Sequence, residues 1–200
     1  MSKRSRYLLW LRRVAIVLVA LVFFGWMGHW YLQIQDANDR VAAENMRLET
    51  FIAGQSAMQQ ALAAKDYRTA ITTGLALQGT IDLTDDETVN LLGLEGFAYF
   101  NLADSVNGTA RLTDLIASRD AYEAALAGLN GVEDLRYASI CASLGGVYYS
   151  LADFGDRTTN LQIALAYYKE NATFSDRQDD TVTVTTYTMM AYINDALRQG

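Results

Sequence analysis

Proline is absent from the 200 residues, and histidine and cysteine each occur once. Basic residues are scarce beyond the first 13 positions. Without proline no helix is stopped by a missing N–H, so punctuation falls to Gly, Asp, Asn and Thr. The single Cys141 excludes an internal disulfide, and its apolar neighbours at helical spacing mark it as a core residue. The single His29 excludes Ser/His/Asp and Cys/His catalytic sets and any His-rich metal site. Acid clusters at Asp85, Asp86, Glu87 and at Asp176, Asp179, Asp180 lack calcium-loop spacing and fall where helices begin, so they read as dipole compensation. Gly93, Gly96, Gly145 and Gly146 have no strand before them and read as packing glycines, not a phosphate loop. No catalytic residue, metal or cofactor is expected, and the chain reads as a non-enzyme.

What the chain does have is a long apolar run. Residues 1–13 carry Lys3, Arg4, Arg6, Arg12 and Arg13 and no acid, and lead into VAIVLVALVFFGWMGHW, residues 14–30. At ~1.5 Å per residue that run covers roughly 26 Å, and its apolar flanks complete a bilayer core of about 30 Å. The sequence therefore predicts a basic cytoplasmic segment (1–13), a transmembrane helix (14–34) and an exported domain (35–200). Trp10, Arg12 and Arg13 on one side, and Trp26 and Trp30 on the other, sit at the expected membrane interfaces. The basic flank places the N-terminus inside, with the remainder in the periplasm or outside the cell. A cleaved signal peptide competes with this reading, but no small-x-small site follows and Tyr31-Leu32-Gln33-Ile34-Gln35 continues as helix. Setting aside the five N-terminal basic residues leaves 11 basic against 23 acidic, about −12 for the exported part. That sign argues against nucleic acid or anionic lipid as its ligand.

From residue 37 onward apolar residues recur at three- and four-residue spacing in an alanine-rich background, which predicts an all-α domain. Helices are expected near 37–64, 67–79, 85–104, 112–128, 132–153, 159–173 and 180–198, the first continuing out of the span. Thr84 through Glu87 and Thr159 through Gln162 have the capping-box pattern. Thr181 through Tyr187 alternates β-branched residues like a strand, but a lone strand would have no partner, so helix is expected there too.

Two stretches repeat: EGFAYFNLAD (95–104) and LGGVYYSLAD (144–153). Aligned on Gly96 and Gly145, they share Tyr99 with Tyr148 and Leu-Ala-Asp at 102–104 and 151–153. Each is followed by a second tyrosine-bearing segment, SRDAYEAAL (118–126) and ALAYYKENA (164–172). A small residue, an aromatic three later, then A-x-x-x-Y-x-x-A resembles the tetratricopeptide repeat, over three degenerate units within about 44–173. The resemblance implies stacked helical hairpins, a C-terminal capping helix, and Tyr99 and Tyr148 as wedges between helices. The small positions 58, 96 and 145 are spaced wider than the family period. The excess is expected in Ser105–Thr113 and Asp153–Thr158, as projecting loops that form a docking edge.

The resemblance also implies a concave binding face made of Gln55, Gln59, Asn90, Phe97, Phe100, Asn101, Ser139, Tyr149 and Ser150. With no Lys or Arg, that face is expected to suit an apolar or helical segment. Together these readings imply a scaffold, an accessory or assembly subunit of a larger inner-membrane complex. The layout is similar to the membrane-anchored repeat proteins that accompany the bacterial Sec translocon. Its partners would be other membrane-complex subunits and the bilayer. A periplasmic chaperone or biogenesis factor for exported proteins is the alternative. His29 at the outer interface reads as a snorkelling side chain. The remoter reading is an axial ligand, since Gly25-x-x-x-His29 with Trp30 loosely resembles the pigment-binding span of light-harvesting polypeptides. Asn107-Gly-Thr109 and Asn171-Ala-Thr173 are glycosylation sequons that matter only in a eukaryotic host.

Overall fold

A computed structural model describes residues 3–129, 135–175 and 180–199, and of residues 3–14, 135, 174–175 and 180–183 the backbone alone. Among the described residues there are seven helices and no strand. They are α1 (Lys3–Ala63), α2 (Tyr67–Thr80), α3 (Asp85–Asp104), α4 (Gly108–Gly128), α5 (Leu135–Leu151), α6 (Arg157–Ser175) and α7 (Asp180–Gln199). The chain divides into two compact units, residues 1–49 and 50–200.

The first unit belongs to α1. Every side chain from Ala15 to Ile34 except Ala20 is exposed, with Ile16, Val22 and Phe24 at 67, 73 and 69 %. No other helix among the described residues is long and apolar enough to cross a membrane. Trp26 and Trp30 are exposed on it; the side chains of Trp10, Arg12 and Arg13 lie outside the described residues. Past the apolar stretch α1 turns polar, with Arg47 gripping Glu44 at 2.8 Å one turn back.

The second unit holds the end of α1 and α2–α7, each packed on its neighbours in the chain. The hairpin of α3 and α4 is antiparallel: Arg111 stands 4.0 Å from Asp104, Ser118 bonds the Gly96 carbonyl, and Gly128 abuts Val89. In α5 and α6 the same pairing runs from Asn160 on the Leu151 carbonyl to Asn171 on the Ala138 carbonyl. Apolar side chains follow this order in three clusters. One, around Met58, Ile71, Leu91 and Leu102, joins the end of α1 to α2 and α3. A second joins α3, α4 and α5 around Leu115, Leu144 and Val147. The third seats α7 on α5 and α6 through Ile193, Ala164 and Leu161.

One contact is made twice. A Cβ built on Gly96 would lie 2.8 Å from the Tyr122 ring, and one on Gly145 would lie 2.8 Å from the Tyr168 ring. Each hairpin thus closes by setting a tyrosine of its second helix into a glycine notch of its first, where any side chain would be overpacked. Tyr122 and Tyr168, both buried, fill the notches; the expected wedges Tyr99 and Tyr148 are half-buried and pack elsewhere between helices, Tyr148 between Glu123 of α4 and Tyr167 of α6.

The connections differ from expectation. The first is only 105–107, because residues 109–113 extend α4 by a turn, entered through Gly108 at φ +61°, a left-handed conformation that favours glycine. The second is 152–156. Arg111, in the first turn of α4, lies over the Phe154 ring at 5.7 Å, so the start of α4 meets the second connection. The two connections are turns of three and five residues rather than long projecting loops. The Thr84 capping box is present, with Thr84 Oγ1 accepting from Glu87 N at 3.2 Å and Glu87 Oε2 accepting from Thr84 N at 2.9 Å. Ahead of α6, Asp156 takes the role expected of Thr159, accepting from Thr159 N at 3.1 Å and from its hydroxyl at 2.7 Å. Those bonds hold the Asp156 carboxyl below its usual range. Residues 181–187 are helical in α7, where Met189, Met190, Ile193 and Leu197 recur at helical spacing and pack on α5 and α6. Asp176 and Asp179 lie outside the described residues.

Candidate partner-binding face

Two residues of the expected face point outward as large apolar side chains. Phe97 on α3 is 46 % exposed and Tyr149 on α5 is 39 % exposed. Beside Phe97, the Asn101 amide donates from Nδ2 to the Phe97 carbonyl at 2.8 Å, leaving its Oδ1 free of that bond. Gln59 and Ser139 are exposed, whereas Gln55 and Ser150 are half-buried.

The register between α3 and α5 follows from two contacts. Arg136 reaches Asp86 at 2.6 Å and Asn90 Oδ1 at 2.9 Å, and Phe100 comes 3.8 Å from where a Cβ on Gly146 would be. Both pairings are offset by just under fifty residues in the same direction, so α3 and α5 run parallel, with Asn101 about level with Tyr149. Phe97 with Asn101 on α3 and Tyr149 on α5 thus stand at comparable heights on parallel neighbouring helices.

Two of the expected residues do other work. Phe100 packs against the cluster shared by α3, α4 and α5. Asn90 is held by Arg136 and lies 3.5 Å from Asp86. Arg136 also corrects the expectation of a face without cations: its guanidinium stands at one end, neutralised by Asp86.

His29 in the first unit is exposed, with Gln33 Nε2 3.1 Å from its Nε2. Among the described residues no group of three or more His, Cys, Asp or Glu is placed to hold a metal ion. Cys141 is fully buried and bonds to Tyr137, and burial pushes its thiol up to about 11, away from the reactive thiolate.

Several polar side chains work inside the helix stack in contacts that the sequence did not indicate. Tyr148 donates to Glu123 Oε1 at 2.5 Å and stacks on Tyr167 with ring centroids 5.8 Å apart. Asn171 is 1 % exposed and joins three helices, donating to the Ala138 carbonyl at 2.7 Å and accepting from Thr186 Oγ1 at 2.7 Å. This fully engaged amide takes Asn171 out of consideration as a sequon acceptor.

Glu95 is 3 % exposed and sits against Gly74 of α2, where an added Cβ would collide with its Oε1. Gln78 Nε2 donates to the same oxygen at 2.9 Å. Burial, only partly offset by that bond, raises its carboxyl to about 7. The signal for Glu95 was in the sequence: with Leu91, Ala98 and Leu102 it shares the buried stripe of α3.

No family model and no curated protein matches the chain.

Proposed function

We propose that this is a non-catalytic, single-pass membrane protein, N-terminus inside, whose exported helical domain serves as a scaffold subunit of a larger membrane complex. The observation that carries the proposal is the all-round exposure of the apolar stretch of α1. A core helix of a soluble domain hides such a stretch, whereas none of this one is buried. The basic residues before it and the tryptophans after it support an N-in span. The tetratricopeptide-like reading of the second unit rests on the sequence pattern and on the glycine–tyrosine contact shared by the α3–α4 and α5–α6 hairpins. The wide spacing and the absence of proline are its departures from that pattern.

Phe97, Asn101 and Tyr149 are the residues assigned to the partner. Exposed aromatic side chains beside a hydrogen-bonding amide suit an amphipathic helix or extended apolar segment. Recovery of the tagged full chain from native membranes in mild detergent tests the role. A scaffold subunit comes away with one set of partners in near-equimolar amount; a chaperone for exported proteins comes away with many clients in trace amounts.

A further inference from the structure

We propose that Glu95 is a proton-operated latch on the α2–α3 seam: as the neutral acid it lets α2 close over the Gly74 notch, and as the carboxylate it draws water in and loosens α2. The geometry leaves a charge there without support. The carboxyl is pressed against a helix surface stripped to backbone by Gly74, has one neutral amide donor in Gln78, and among the described residues has no ion-pair partner. A buried carboxylate in that setting is costly, and either its protonation or the opening of its surroundings relieves it.

The surroundings contain no substitute counter-ion. The end of α1 that shares this cluster, residues 50–63, carries no ionisable side chain. On α3 itself, Tyr99 lies close enough that the Glu95 charge raises its hydroxyl, though burial raises it more. Asp114 of α4 faces the same tyrosine, and Arg68 of α2 acts on Asp114 rather than on Glu95. Water has a short way in, because Gln78 also lines an open cavity of about 430 Å³ with Ile81, Asp82 and Leu83. Only α2 bears directly on the notch, so loosening it exposes the seam while the α3–α4 hairpin stays closed.

The sign follows from linkage. The carboxyl sits at about 7 in the closed seam against an ordinary 4.5, so closure is favoured most below 4.5 and is lost as pH rises through about 7. The test needs neither the anchor nor the partner to be as proposed. Hydrogen-exchange protection factors are measured for α2 in the full chain in detergent between pH 5.5 and 8.5, with α5 and α6 as internal reference. Wild-type α2 is expected to lose roughly thirtyfold in protection across that range, levelling off above about 7, with its midpoint on a logarithmic scale near pH ~6. Glu95→Gln, a neutral isostere, should hold α2 protected at every pH. Gln78→Leu, at an exposed position, removes the one donor that favours the carboxylate and should move the wild-type midpoint to higher pH. Protection of α2 that does not change with pH in the wild type overturns the latch. So does a Glu95→Gln variant that keeps the wild-type pH response, or a Gln78→Leu midpoint that does not move.

Discussion

Gly96 and Gly145 do the same job in two hairpins, so substituting either gives the same result. A methyl group on either would sit inside the van der Waals envelope of a buried tyrosine ring. Gly96→Ala and Gly145→Ala should each destabilise the helical domain by about 1–3 kcal/mol in thermal or denaturant unfolding, although alanine is the better helix former. The same substitution at Gly93, where nothing stands within 4 Å, is the control and should be neutral or mildly stabilising. Asn171→Ala strands the Ala138 carbonyl and the Thr186 hydroxyl, costs about 2 kcal/mol, and should first raise exchange in α7. At this scale the sequence was half legible. Spacing picked out the two glycines and the four tyrosines, but not which tyrosine fills which notch, because that depends on how the second helix is rotated. Of the nine residues assigned to the face, Phe97 and Tyr149 are exposed as large apolar side chains and Asn101 is half-buried. Asn90 and Phe100 are taken up by contacts from α5 and α4 that no local pattern encodes.

The helices themselves were readable almost to their ends, because the apolar period is strong and side chains mark most boundaries. Thr84 does so with both bonds of a capping box, and Thr84→Ala should cost about 1 kcal/mol, seen as a lower unfolding midpoint with an unchanged slope. Where reading failed, local chemistry had two solutions. Asn107-Gly108 reads as the start of a long loop, yet Gly108 turns the chain directly into α4. Asp156 and Thr159 both fit as caps, and the carboxylate three residues earlier wins, taking both the amide and the hydroxyl of Thr159. The β-branched run at 181–187 is helical because α7 gains its stability from burying Ile193, Leu197 and the two methionines, which outweighs a local strand preference.

At the scale of the molecule, charge and apolarity are segregated along the chain. Apolar surface is concentrated in the first unit, and the exported part of the proposal carries about −12. If α1 is the anchor, the protein should remain with membranes through an alkaline carbonate wash, and removing residues 1–34 should release the rest to the soluble fraction. The long apolar helix was the easiest feature to read, since a run of apolar residues needs no tertiary context; a partner is the hardest, since a binding face is defined by what it touches. The most direct measurement is therefore purification of the full chain from its native membranes in mild detergent, alongside a Phe97→Ala/Tyr149→Ala variant. Both side chains are exposed, so the variant should fold normally. A scaffold predicts a discrete set of partners recovered near-equimolar with the wild type and depleted at least tenfold with the variant. A chain recovered alone, or with the same partners in both preparations, contradicts it.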